Sequence, residues 1–220
     1  MIALYWDIDG TLLTTDRAGV HALEAALADV FGVDRDLMSE RLPTGLTEHQ
    51  IAGAVFALAG VQADAQQTEA FVRSYEGHLP AALPRRQGRV LPGVREILSD
   101  LVPETNVRSF LLTGNTEAGA RAKLEHYGLT EFFDDGAFCI GPGARSDIAR
   151  AALLLAPDAD VRYVIGDTPH DIEAGKAIDA RTIAVATGSH TAKALADDEP
   201  WAVLERLPAP AEFRALIELH

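Results

Sequence analysis

The sequence predicts an α/β fold: a largely parallel sheet with helices on both faces, interrupted by an inserted all-α subdomain. Three observations carry this. Short apolar runs alternate with helical patterns over most of the chain. Three of those runs end in short polar clusters of Asp, Gly, Thr and Asn. One long segment after the first run has helical periodicity and no strand-like stretch. Alternation of this kind implies parallel strands with crossover helices, and a helical block too long for a connection implies an insertion.

The strand-like runs are Ile2 to Trp6, Val107 to Leu112, Ala137 to Ile140, Val161 to Ile165 and Arg181 to Ala186. Their brevity, β-branched and aromatic content and flanking Gly and Asp favour strands over helix pieces. Helical patterns cover Val94 to Leu101, Glu117 to Tyr127, Ser146 to Leu155 and Ile172 to Ala177, and a proline-bounded helix ends the chain. Within the insert, helices are expected over Gly19 to Phe31, Glu48 to Ala59 and Gln66 to His78, with punctuation at Leu42 to Gly45, Gly60 and Pro80 to Gly88. The division is therefore residues 1–15 and 89–220 as core and 16–88 as insert.

Of 220 residues, 48% are hydrophobic, enough for a substantial core. The net charge of −14 repels nucleic-acid phosphate, and the only basic grouping is Arg85-Arg86 with Arg89, so no nucleic-acid partner is expected. No apolar run has the length of a membrane span. The single cysteine, Cys139, excludes an internal disulfide framework and reads as a core residue. With no signal-peptide pattern at the N-terminus, a cytoplasmic location is expected.

Ligands of parallel α/β sheets collect beyond the carboxyl ends of the strands. There the first run ends in Asp7-Ile8-Asp9-Gly10-Thr11, the second in Thr113-Gly114-Asn115, and the fourth in Gly166-Asp167-Thr168-Pro169-His170-Asp171. Singly, each reads as turn and capping chemistry. Together they bring Asp7, Asp9, Asp167 and Asp171 to one cleft. Carboxylates so close raise one another's pKa unless a cation joins them, and an all-oxygen set suits Mg²⁺. Thr113 and Asn115 add hydroxyl and backbone N–H donors suited to a phosphoryl group. Arg145, at the start of the helical pattern after Gly141-Pro142-Gly143-Ala144, is placed to add a cation, and a solvated surface position is its alternative.

These four elements, "DIDGT", "LLTGN", a basic residue opening a helix and "GDTPHD", resemble in order the motifs of the haloacid dehalogenase-like superfamily of phosphohydrolases. "LPGVREIL" and "LEHYGLTEFFD" resemble its phosphoglycolate-phosphatase-like branch. The resemblance implies a Rossmann-like parallel sheet core with the inserted all-α segment as a cap subdomain, and a Mg²⁺-dependent phosphatase acting on a small phosphorylated metabolite. It implies Asp7 as nucleophile, forming an aspartyl-phosphate, and Asp9 as acid and base. The metal would be held by Asp7, the Asp9 carbonyl, Asp167 and Asp171, and the phosphoryl oxygens by Thr113, Gly114, Asn115 and Arg145. Lys123 competes with Arg145 for the basic role.

Cap residues expected to reach substrate are Arg17, Thr44, Gly45 and Thr47. The branch's cap loop often reads "GRTD"; Leu46 stands where its arginine would be. A phosphomutase of the β-phosphoglucomutase type and a non-catalytic phospho-ligand-binding relative are the alternatives. Dehalogenation is disfavoured by Asp9, and phosphonate cleavage by the absence of lysine from the insert.

Overall fold

The computed structural model describes residues 1–133 and 135–219. Strand β1 (Ile2–Trp6) lies inside a six-stranded parallel sheet. Its neighbours are β4 (Val107–Leu112) and β6 (Val161–Gly166), beyond which lie β5 (Gly136–Ala137) on one side and β7 (Arg181–Val185) and β8 (Ala202–Leu204) on the other. Successive side chains of a strand face opposite ways. Leu4 and Trp6 accordingly enter one apolar layer with α4 (Val94–Leu101) and α9 (Pro210–Leu216), where Trp6 stacks on Phe213 at 5.5 Å. Ala3 and Tyr5 enter the other, against α6 (Arg145–Ala152) and α7 (Pro169–Ala177).

Register decides where the polar clusters meet. Trp6 pairs with Leu111 on one side and Ile165 on the other, so the three strands run out at nearly the same level. Each apolar run therefore delivers its polar cluster to one sheet edge.

Helices α1 (Ala18–Phe31), α2 (Glu48–Ala59) and α3 (Ala65–Ala82) bury a separate apolar cluster that includes Leu27, Phe56, Phe71 and Leu79. They leave and rejoin the sheet portion through a short antiparallel pair, β2 (Leu13–Thr14) with β3 (Arg89–Val90). The first two residues beyond β2 that enter the insert with left-handed backbone are Asp16 and Arg17, φ 51° and 64°.

Several elements differ from the sequence expectation. The run Ala137 to Ile140 pairs only over Gly136–Ala137. Beyond it Cys139 N–H donates to Asn115 O, and Ile140 turns out to solvent ahead of Pro142, which has no N–H to continue a ladder. Helix α3 runs through Pro80 to Ala82 rather than stopping at His78, because Leu79, Ala82 and Leu83 are buried in the insert's core and offset the proline's lost hydrogen bond. Strands β2, β3 and β8 and helix α8 (Ala192–Ala196) are too short to show periodicity. No helix among the described residues is long and apolar enough to cross a membrane.

Candidate active site

Asp7 follows β1 directly, its N–H bonded to Ile165 O at 2.9 Å, and its side chain is 3% exposed. Asp167 follows β6 and is equally buried, and Asp171 lies in the first turn of α7 with no exposure. Among the described residues these three offer carboxylate oxygens within 4.8 Å of one another. Asp171 Oδ2 caps its own helix, accepting from Thr168 N and Oγ1 at 3.0 and 2.7 Å. Its Oδ1 meets the Arg145 guanidinium, an ion pair at 2.7 Å. Burial and the neighbouring carboxylates outweigh Arg145 and push Asp7 up to about 6, and burial with Asp7 and Asp171 raises Asp167 well above the ordinary range. An all-oxygen group of three buried carboxylates, two of them pushed up by burial and by one another, fits a hard divalent cation such as Mg²⁺.

Two buried cations divide the two aspartates of the first cluster. Arg145, at the first position of α6 and 5% exposed, reaches Asp7 Oδ1 at 2.6 Å and Asp171 Oδ1 at 2.7 Å. A solvated surface position for Arg145 is thereby overturned. Lys123, on α5 (Glu117–Tyr127), donates to Asp9 Oδ2 and to Asn115 Oδ1, both at 2.6 Å. Burial raises Asp9, but Lys123 and Asn115 more than offset it and hold Asp9 below the usual range. Asp9 stands outside the three-carboxylate group, aimed at Lys123.

The second cluster sits between these pairs. Thr113 is fully buried and its Oγ1 accepts from Asn115 Nδ2 at 2.7 Å, leaving its hydroxyl proton free to donate. The Asn115 amide also donates to Asp9 Oδ2 at 2.9 Å, so its side chain orients Asp9 and Lys123. Gly114 has no room for a side chain: a Cβ there would strike Leu46 O of the insert. Gly10, at φ 87°, faces Asp167 so closely that a Cβ would collide with its carboxyl.

The start of α2 is bonded over this edge. Glu48 N–H donates to Gly114 O at 2.9 Å, Thr47 Oγ1 to Gly143 O at 3.3 Å, and Arg145 to Gly45 O at 3.4 Å. Thr44 shares a hydrogen bond with Ser189 at 2.9 Å. His49 bridges Cys139 Sγ at 3.3 Å and Glu69 at 2.8 Å, which ties α2 and α3 to the core. Beneath lies a cavity of about 280 Å³ bounded by Asp7, Asp9, Thr113, Gly114, Asn115, Arg145 and Asp167. Arg17, Thr44 and Gly45 also line it, whereas Thr47 is spent on capping α2. Arg17 does not extend into it freely: its guanidinium donates to Leu37 O and Glu40 O at 3.2 and 2.8 Å.

Sequence reasoning missed the loop after β7 and the acid of α2. Thr187 Oγ1 donates to Gly10 O at 2.6 Å, and Gly188 packs against Asp167. The signal was present, since Thr187-Gly188-Ser189 is a fourth polar cluster at a parallel strand's end. Glu48 gave no such signal, as a first-turn glutamate is ordinary helix chemistry.

Glu48 is 9% exposed and lines the cavity. Burial, opposed by Lys123 and reinforced by Asp9, pushes it up to about 7 from 4.5. With the folded value above the unfolded one, its stabilising neutral form is fully present below about 4.5 and is lost as pH rises through 7. We expect Glu48→Gln to unfold at the same temperature as the wild type near pH 4 and several degrees higher near pH 8, the difference being on the order of 3 kcal/mol. Thermal melts across that pH range check it; a constant offset would show that Glu48 is not the titrating group.

Residues 4–176 match the family model for haloacid dehalogenase-like hydrolases. The chain is 31% identical over 205 residues to Probable phosphatase IndB of Dickeya dadantii, covering 91% of this chain and 87% of that one. It is 29% identical over 171 residues to the phosphoglycolate phosphatase of Caulobacter vibrioides, covering 76% and 71%. The solved structure of CbbY from Rhodobacter sphaeroides in complex with phosphate superposes with a TM-score of 0.74 at 20% identity, over 96% and 95% of the two chains. With these matches and a buried aspartate set at the aligned strand ends, the chain belongs to the haloacid dehalogenase-like hydrolase family.

Proposed function

We propose that the protein is a Mg²⁺-dependent phosphomonoesterase acting on a small metabolite through an aspartyl-phosphate on Asp7, with the helical insert serving as its cap. The observation that carries this reading is the Asp7–Asp167–Asp171 group, buried where β1, β6 and the first turn of α7 meet, with Arg145 as its only cation within ion-pair distance among the described residues. Phosphatases among the relatives support it.

Asp7, Asp167, Asp171 and the Asp9 carbonyl would hold the ion. When bound there, Mg²⁺ would neutralise the carboxylates and draw charge from the phosphoryl oxygens. Asp7 attacks phosphorus, the ester oxygen leaves with a proton from Asp9, and Asp9 then takes a proton from the water that hydrolyses the acyl phosphate. Lys123 keeps Asp9 ionised between turnovers, and an arriving phosphoryl anion raises its proton affinity so that it can carry the proton. Thr113, the N–H groups of Gly114 and Asn115, and the Arg145 guanidinium face the space where the phosphoryl oxygens would lie.

A screen of phosphorylated metabolites with Mg²⁺, scored by free phosphate and by kcat/KM, tests the reading. Release of phosphate with the parent alcohol as co-product is expected. Isomerised sugar phosphate without free phosphate would replace it with the mutase reading.

A further inference from the structure

The part of the cavity beyond the phosphoryl position has an unusual charge pattern. Three cations line it, Arg17, Lys123 and Arg145, and each is already engaged. Arg145 holds Asp7 and Asp171, Lys123 holds Asp9 and Asn115, and Arg17 holds two backbone carbonyls of the insert. The cavity is lined besides by Leu46, Ile51, Thr14, Thr15, Tyr75 and Glu48.

We infer that this site selects phosphomonoesters of small uncharged, hydroxyl-bearing alcohols and rejects esters whose leaving group carries a carboxylate or a second phosphate. The inference rests on the phosphomonoesterase reading and names its substrate class. A carboxylate entering this space comes up against Asp9 and Glu48, while Lys123 and Arg145 are already paired with carboxylates and Arg17, the one lining cation without a carboxylate partner among the described residues, is turned to the carbonyls of Leu37 and Glu40. A hydroxyl suits the same wall: it exchanges hydrogen bonds with Glu48 and accepts from a threonine hydroxyl, while its carbon skeleton packs on Leu46 and Ile51.

The decisive comparison uses esters that differ only at the group in question. With Mg²⁺-loaded protein, kcat/KM is measured for 2-hydroxyethyl phosphate against phosphoglycolate, and for glycerol 3-phosphate against 3-phosphoglycerate, with p-nitrophenyl phosphate as a neutral reference. We expect each hydroxyl ester to exceed its carboxylate counterpart by about a hundredfold or more. Leu46→Arg, which places a cation in the wall, should raise the phosphoglycolate to 2-hydroxyethyl phosphate ratio at least about tenfold. Hydrolysis of p-nitrophenyl phosphate with phosphoglycolate turned over as well as its hydroxyl partner overturns the inference and leaves the phosphatase reading intact. No hydrolysis of any of these esters, the reference included, overturns the phosphatase reading and the inference with it.

Discussion

Asp7→Asn is expected to lower kcat by about ten-thousandfold or more while the fold survives. The amide occupies the same volume but cannot attack phosphorus, and no other described carboxylate takes its place. Asp167 is engaged by Thr11 Oγ1 at 3.3 Å, Asp171 by its helix N-terminus, and Asp9 by Lys123. Survival of the fold follows from the electrostatics. Burial pushes Asp7 up to about 6, so its ionised form costs stability above that pH in the metal-free protein. A neutral amide lacks that cost, so the variant should melt at or above the wild-type temperature near pH 8 in chelator. Its Mg²⁺-induced rise in melting temperature should shrink, since one ligand is gone. Phosphate release and melts with and without Mg²⁺ check both arms. Activity within about tenfold of wild type would remove Asp7 from the nucleophile role.

Arg145→Met should have the largest effect on stability. It strips the counter-charge from Asp7 and Asp171, both essentially buried, and breaking a buried pair this way costs about 3–5 kcal/mol. For a chain of this size that lowers the melting temperature by roughly 10 °C near pH 8 without metal. The loss should shrink toward pH 5, where protonation of the raised carboxylates removes the repulsion. Mg²⁺ supplies the missing charge, so it should stabilise the variant more than the wild type. Activity should fall about a hundredfold, the worth of one donor to the transferred group. Calorimetry in chelator and in Mg²⁺ decides it; a chelated melting temperature within about 2 °C of wild type would show that Arg145 is not the site's counter-charge.

Most of the sheet was legible because burial imposes composition. Ile2–Trp6 and the carboxyl-terminal halves of Val107–Leu112 and Val161–Gly166 are apolar on both faces, as strands covered on both sides must be, and each ends where polar chemistry begins. Helices with strong boundaries were equally legible: Glu48–Ala59 is bracketed by Thr47 with Gln50 at its start and Gly60 at its end. The continuation of α3 through Pro80 was not, since local propensity argues for a stop and only packing of Leu79 and Ala82 in the insert's core reverses it.

The sequence by itself determined which polar clusters close the strands that meet at one sheet edge: two aspartates after the first strand, Thr113-Gly114-Asn115 after the second long one, and the Asp167 to Asp171 pair. Side-chain type and position along the chain are enough for that, because a strand's end is written in its own composition. Pairing was beyond its reach. Arg145 and Lys123 are both basic residues on helices, and only the folded chain assigns the first to Asp7 and the second to Asp9. The same holds for Arg17, whose guanidinium is turned to the carbonyls of Leu37 and Glu40, and for Glu48, whose burial makes an ordinary surface residue type part of the cavity wall. Coulombic partners and desolvation depend on distances across segments far apart in the chain, and those distances exist only after the strands align and the insert docks.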